Sequence, residues 1–144
     1  MIATNYKFFE DQLKAIDAKS YEWPWFDEGW KTAKDYNFRI LLDGSRVIGF
    51  SCFKDVFLAK LCVHPVYRKL GYGSKLMSDL LLSSKGQRIL TILHEENEYL
   101  TWAKNWGWYC IGLEKNLFPD GRDGLKMVVQ MKPLVRDGSF LPND

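Results

Sequence analysis

Apolar residues recur along this chain with a period that switches between about 3.6 and 2, and the switches predict an order of elements. In "YKFFEDQLKAIDAKS" the residues Phe9, Leu13 and Ile16 share one face of a helix, and "DEGWKTAKDY" repeats the signal over a shorter second helix. The pattern then tightens. "FRILLDGSRVIGFSCF" reads as two strands around Asp43-Gly44, a dipeptide that takes the positive φ angles of a tight turn, and so predicts an antiparallel hairpin. "VFLAKLCV" is a third strand. "GSKLMSDLLLSS" returns to the helical period, with Leu76 and Leu80, and Met77 and Leu81, at i,i+4, and "RILTIL" is a strand apolar enough for burial on both faces. Strand, helix and strand in that order predict a right-handed crossover between parallel strands. "NEYLTWAKNWG" follows as a helix stopped by Gly107, "WYCIGLEKNL" as a strand, "FPDGRDG" as a turn-rich loop and "LKMVVQMKPL" as the last strand. The fold class is therefore mixed α/β, a central mixed β-sheet flanked by helices. Residues 1–133 form one domain, and 134–144 are a loose tail.

Composition narrows the setting. With 144 residues, 47% of them hydrophobic and 15% aromatic, the chain has the size and the apolar content of one domain with a real core. A net charge of +2 is too mild for a surface dedicated to nucleic acid or membrane, so any basic chemistry is local. Cys52, Cys62 and Cys110 are odd in number and lack CxxC spacing, which argues against a disulfide framework or a zinc ribbon and for a reducing compartment. No metal site is expected. Glu10 and Asp11 interrupt the apolar stretch that a signal peptide needs, and no apolar run is long enough to span a bilayer. The expected setting is the cytoplasm.

The stretch "VHPVYRKLGYGSKLM" carries the chemistry. Val63 ends a strand, Pro65 stops it, and Gly71 to Ser74 lead into a helix whose first backbone N–H groups have no internal partners. Aligned peptide dipoles place roughly half a positive charge there, and such an end attracts phosphate. Gly71 and Gly73 let a bulky anion approach the amides, and Arg68 and Lys69 can add charge-assisted hydrogen bonds. A Walker A loop is excluded because no Gly-Lys-Ser/Thr closes the turn, and the dinucleotide fingerprint fails because Leu76 stands where its third glycine belongs.

With its strand, "LCVHPVYRKLGYGSKLM" resembles the acyl-CoA-binding motif of the GNAT N-acetyltransferase superfamily: a strand ending V-x-P, then R-x-x-G-x-G, then a helix. The likeness extends in element order over roughly residues 38–133, with the sharp motif confined to 61–77. It implies acetyl-CoA as cosubstrate and transfer of acetyl to an amine on a small molecule or a protein. It places pyrophosphate on Arg68, Lys69, Leu70, Gly71, Tyr72 and Gly73 with Ser74 close by, and the pantetheine arm along the backbone of Leu61, Cys62 and Val63. An N–H near Leu61 would stabilise the oxyanion of the tetrahedral intermediate. Asn97 nearly matches an asparagine that this family carries on the later helix.

The family's general acid is commonly a tyrosine four residues before a Gly-aromatic pair; here the pair is Gly107-Trp108 and the position holds Ala103. A thiolate with a pKa near roughly 8.5 can leave without full protonation, yet acid help is commonly worth about 10²- to 10⁴-fold. Tyr99, one turn earlier, is the substitute favoured over Tyr109 and Cys110, with helix packing as its competing role. Candidate bases are Asp55, Glu95, Glu96, His64 and His94. Acceptor recognition falls to "SYEWPWFDEGW", where Trp23, Trp25, Phe26 and Trp30 offer flat walls, and Glu22, Asp27 and Glu28 favour a cation. Core packing competes for at least two of those aromatics. Trp25, Phe26, Asp27 and Glu28 are the expected acceptor contacts. Two alternatives stay open: a GNAT-fold binding protein with weak or no turnover, suggested by Ala103, and an acyltransferase acting on a nucleobase amine. Homodimerisation is left open as well.

Overall fold

The computed structural model describes residues 1–21 and 24–130, so Glu22, Trp23, the end of the last predicted strand and the predicted tail lie outside the described residues. Seven strands and four α-helices are present among them: β1 (Ile2–Ala3), α1 (Glu10–Ser20), α2 (Asp27–Lys31), β2 (Asn37–Asp43), β3 (Arg46–Lys54), β4 (Phe57–Val63), α3 (Tyr72–Ser83), β5 (Arg88–His94), α4 (Leu100–Asn105), β6 (Tyr109–Glu114) and β7 (Gly124–Gln130). The fold is mixed α/β, as the periodicity predicts. Two compact units divide it, one over Met1–Leu80 and one from Leu81 onward.

In the first unit, β1 to β4 form an antiparallel meander in chain order. The β2–β3 turn consists of Gly44 and Ser45, with Gly44 at φ +60°, whereas Asp43 is still in the strand opposite Arg46. The predicted hairpin is present with its turn one residue later. Leu13, Ile16, Trp30, Phe38, Ile40, Val47, Phe50 and Cys62 form one buried cluster, in which α1 and α2 cover one side of the strands. Leu41, Ile48, Val63 and Leu76 form a second, in which α3 contributes Leu76. A bidentate pair ties α3 to β2: Arg39 Nε and Nη2 donate to the two carboxylate oxygens of Asp79 at 2.9 and 2.7 Å. Gly49 fixes how closely β3 and β4 approach, because a Cβ there would lie 2.6 Å from the Cys62 carbonyl oxygen. The last residues of β4 are thereby set for the turn that follows.

In the second unit, β5 pairs antiparallel with β7, and β7 with β6. Only Ile89 of β5 is buried; Leu90 to His94 are half-buried, so the apolar run overstates the burial of this strand. The predicted helix before Gly107 begins at Leu100 and ends in a Schellman motif: Trp108 N–H donates to Ala103 C=O at 3.1 Å and Gly107 N–H to Lys104 C=O at 3.0 Å, with Gly107 at φ +95°.

Candidate functional site

The turn from β4 to α3 is built from short-range bonds. His64 Nδ1 accepts the Val66 N–H at 3.1 Å, and Pro65 opens a 3₁₀ turn over Pro65–Tyr67. Lys69 then takes φ +63° and Gly71 φ +89°. Lys75 N–H bonds Gly71 C=O at 3.2 Å, which places the N–H groups of Tyr72, Gly73 and Ser74 in the first turn of α3, ahead of its backbone ladder. A Cβ at Gly71 would meet nothing within 4 Å. The glycine is thus required by its φ, and the space beside it is open to an incoming group. Lys69 and Leu70 are exposed at the rim. This arrangement fits a pyrophosphate: open approach, aligned donors and adjacent positive charge.

Arg68 is placed differently from the sequence expectation. Its Nε donates to Val63 C=O and its Nη2 to Ser20 Oγ, both at 3.0 Å, so the guanidinium fastens the end of α1 to the end of β4. Part of its donor set is taken by the protein, while the Lys69 side chain is exposed and the first-turn amides of α3 lie ahead of the backbone ladder. Nearby, desolvation and the charges of Lys19, Arg46 and Arg68 lower the His64 pKa, as befits a site that concentrates positive charge.

Upstream of this turn the outward groups of β4 meet a side chain. Leu61 N–H donates to Tyr21 Oη at 2.9 Å, and the Tyr21 hydroxyl donates to Leu61 C=O at 3.2 Å. Beneath it lies an ion pair hidden from solvent: Lys60 Nζ to Asp17 Oδ1 at 2.7 Å, with side chains 4% and 0% exposed. The ammonium sits 4.6 Å from the ring centroids of both Tyr21 and Trp25, and Asp17 Oδ2 accepts the Trp25 N–H at 2.9 Å. Cys62, alongside, is a buried thiol whose pKa is pushed up to about 12 by desolvation, and it acts as a core residue. Sequence reasoning missed Asp17, Tyr21 and Lys60. The available signal was a lysine alternating with Leu58 and Cys62 on the inward face of a strand.

The aromatic-acidic segment divides as packing demands. Trp25 packs against Trp30 and Tyr36 with centroids 5.2 and 5.0 Å apart, and Trp30 is buried. Phe26 is 76% exposed, and Asp27 and Glu28 follow it as the exposed first turn of α2.

Residues 34–109 match the sequence profile of the acetyltransferase (GNAT) domain, more than half of the chain. The chain belongs to the GNAT acetyltransferase family. Acetyl-CoA is accordingly its cosubstrate. Among solved structures it is similar to the ribosomal-protein-S18-alanine N-acetyltransferase from Escherichia coli, at TM-score 0.81 and 18% identity over 97% of this chain and 99% of that one. It is similar also to Arabidopsis thaliana Naa50 in complex with the bisubstrate analogue CoA-Ac-MVNAL, at TM-score 0.78 and 16% identity over 90% of this chain and 97% of that one. A third is Arabidopsis thaliana NAA60 in complex with acetyl-CoA, at TM-score 0.70 and 16% identity over 90% and 99% of the two chains. These likenesses show the fold. No curated protein sequence is significantly similar to the chain.

Within this GNAT domain the other candidate residues have mostly local roles. Ala103 is buried at 6% exposure, and its carbonyl closes the end of α4. Tyr99 precedes α4 with its side chain 48% exposed, while its N–H is capped by Asn97 Oδ1 at 2.8 Å. Asn97 thus has a turn-forming role. Asp55 sits in the β3–β4 turn at φ +53°, six residues before Leu61 and so about 20 Å away along an extended strand. His94 Nδ1 lies 3.1 Å from Arg122 Nη1, a contact in which only the guanidinium can donate, and its ring meets Phe118 edge-on. Arg122 also pairs with Asp120 at 2.6 Å and reaches Glu96 at 3.8 Å. Glu95 is exposed, as are Tyr109 and Cys110 on β6. Among the described residues no cluster of His, Cys, Asp or Glu could hold a metal ion, and no helix is long and apolar enough to cross a membrane.

Proposed function

We propose that the chain is an acetyl-CoA-dependent N-acetyltransferase, acting as one domain over residues 1–133, whose preferred acceptor is the α-amine of a peptide. The observation that carries this reading is the junction of β4 with the glycine turn: a strand edge running directly into a cradle of first-turn amides. Lys69 to Ser74 hold the pyrophosphate, with Arg68 as the fastening beneath them, and the pantetheine arm runs along the backbone of Leu61, Cys62 and Val63, with the Leu61 N–H reserved for the thioester carbonyl. The acceptor nitrogen attacks the thioester carbon directly and coenzyme A leaves as the thiolate.

Acceptor class follows from proton accounting. A lysine amine, with a pKa of about 10.4, is neutral in only about one molecule in 2,500 at pH 7 and needs a strong, well-placed base, whereas a peptide α-amine at about 7.7 to 8.0 is neutral in roughly one molecule in ten and needs less help. Asp55 is remote from Leu61, and His64 and His94 already engage their Nδ1 atoms, which favours the acceptor needing less help. The names of the E. coli and Naa50 structures, one an S18-alanine acetyltransferase and the other bound to a peptide analogue, point the same way. Incubation with isotopically labelled acetyl-CoA and a panel of peptides of varied first residue, lysine peptides and polyamines, read by mass spectrometry, tests it. Label at peptide α-amines is expected; label only on lysines or small amines overturns the acceptor class. Saturable acetyl-CoA binding without any product would instead support the binding-protein reading that the buried Ala103 favours.

Two variants locate the remaining roles. Tyr99 is our candidate proton donor to the leaving thiolate, so Tyr99→Phe is expected to lower kcat by about 10-fold or more and leave acetyl-CoA affinity unchanged. Unchanged kcat across a pH series removes Tyr99 from the chemistry. Phe26, exposed beside Asp27 and Glu28, borders the acceptor, so Phe26→Ala is expected to raise acceptor KM several-fold without altering Tm. The amide pair Asp27→Asn and Glu28→Gln should weaken cationic acceptors, with a penalty that shrinks in high salt. Trp25→Ala, by contrast, removes a core ring and should lower Tm first.

A further inference from the structure

Leu61 presents its N–H and its C=O to the same hydroxyl, and that hydroxyl belongs to a residue 40 positions away. A single oxygen bridging both groups of one strand residue occupies the spot that a ligand carbonyl would take on accepting the Leu61 N–H. Tyr21 is held there from three sides. It caps the end of α1, its N–H donating to Asp17 C=O at 3.2 Å; its ring faces the Lys60 ammonium at 4.6 Å; and its hydroxyl grips Leu61. The ammonium is in turn fixed by Asp17 and shared with the Trp25 ring. Such a construction keeps one phenolic O–H beside one backbone N–H.

We propose that the Tyr21 hydroxyl is a catalytic residue, the second hydrogen-bond donor of a two-donor oxyanion hole whose first donor is the Leu61 N–H. This rests on the placement of the acetyl-CoA thioester along β4 given above. When the acceptor nitrogen bonds to the thioester carbon, the carbonyl π pair moves onto oxygen. That oxygen takes the Leu61 N–H in place of Tyr21 Oη, and the Tyr21 O–H turns from the Leu61 carbonyl to the same oxygen. Collapse re-forms the carbonyl, breaks the carbon–sulfur bond and releases the thiolate, while the nitrogen loses its proton to solvent or a base. Tyr21 keeps its own proton throughout. Desolvation, reinforced by the neighbouring Cys62 and Asp17 and opposed by the Leu61 backbone bond, holds the phenol pKa well above its usual value, as suits a donor that never ionises. Lys60 is a positioning residue for the ring.

Tyr21→Phe deletes the hydroxyl and keeps the ring over Lys60. With a peptide acceptor from the panel above, kcat is expected to fall about 10²- to 10³-fold, the usual effect of losing one oxyanion-hole donor, by the same factor at every pH. Acetyl-CoA affinity by calorimetry should stay within about threefold, so absence of binding in the wild type would sink the cofactor placement itself and not this role. Infrared difference spectra with carbonyl-¹³C acetyl-CoA need no acceptor: the wild-type thioester band should be shifted to lower frequency, and the variant's less so. An equal band position in both, or tighter acetyl-CoA binding with undiminished kcat, overturns the proposal and makes Tyr21 a mere plug of the strand edge. Should Tyr21→Phe fail to fold, ¹³Cζ-tyrosine NMR of the wild type decides the matter. The Tyr21 resonance should move with acetyl-CoA and far less with coenzyme A, which lacks the carbonyl, and equal movement with both overturns the role.

Discussion

Gly73→Glu is expected to weaken coenzyme A binding by more than about 100-fold, or about 2.7 kcal/mol, without loss of thermal stability. Gly73 lies in the first turn of α3, one residue past Tyr72. A carboxylate there competes for the first-turn N–H groups and places like charge beside pyrophosphate, so it opposes the ligand twice over. The same carboxylate suits the helix. Acidic residues stabilise a helix N-terminus, and glycine is a poor helix former, so the variant should melt no lower than the wild type. Calorimetry and a thermal melt on one sample check both halves. Undiminished affinity removes the cradle from the site. Gly73→Ala adds bulk without charge and should lose far less. Arg68→Ala behaves in the opposite way to Gly73→Glu: because the guanidinium bonds Val63 C=O and Ser20 Oγ, it should lower Tm along with a smaller loss of affinity.

The largest effect on stability is expected at Asp17. Asp17→Ala leaves the Lys60 ammonium 4% exposed with no carboxylate to face, and it removes the acceptor of the Trp25 N–H. Breaking one side of a buried pair typically costs about 3–5 kcal/mol, because the other charge stays uncompensated. For a chain of this size that corresponds to a drop in Tm on the order of 10 °C or more. Lys60→Met fills the space between the Tyr21 and Trp25 rings and leaves Asp17 its Trp25 bond, but it strips the fully buried carboxylate of its ammonium, so it too should cost several kcal/mol. The double variant Asp17→Asn with Lys60→Met should be more stable than the summed losses of the single variants Asp17→Asn and Lys60→Met predict, because each single variant leaves a lone buried charge and the double leaves none. Urea denaturation of the four proteins measures that coupling. Strict additivity would mean that the pair does not interact, against its 2.7 Å contact.

The helices, the hairpin and the glycine turn were legible in the sequence because each is decided by near neighbours. Leu13 and Ile16 sit at helical spacing and are buried in α1; Leu76, Met77, Leu80 and Leu81 do the same in α3. Gly71 and Gly107 stand where the chain requires positive φ, and both close or open a helix as their positions imply. The order V-x-P, R-x-x-G-x-G and helix was likewise local, which is why the family was readable from fifteen or so residues. Burial was less so. The run "RILTIL" gives no hint that only Ile89 is fully covered, since covering is done by residues distant in the chain.

The mixed α/β class and the strand–turn–helix junction of β4 with α3 follow from near-neighbour patterns in the sequence alone. What the side chains around that junction bond to depends on elements brought together by folding. Arg68 turned back to Val63 and Ser20, a choice set by where α1 ends rather than by the motif. Alternation along β4 says nothing of why a lysine should face inward; Asp17, 43 positions earlier, supplies the reason, and the Tyr21 and Trp25 rings complete the enclosure. Tyr21 reached Leu61 because α1 lies across the strands with its last turn above β4, a placement fixed by the packing of Leu13 and Ile16 and by no pattern around either residue. Backbone periodicity is a property of neighbours, whereas a hydrogen bond spanning 40 residues exists only once two elements have been brought together by their cores.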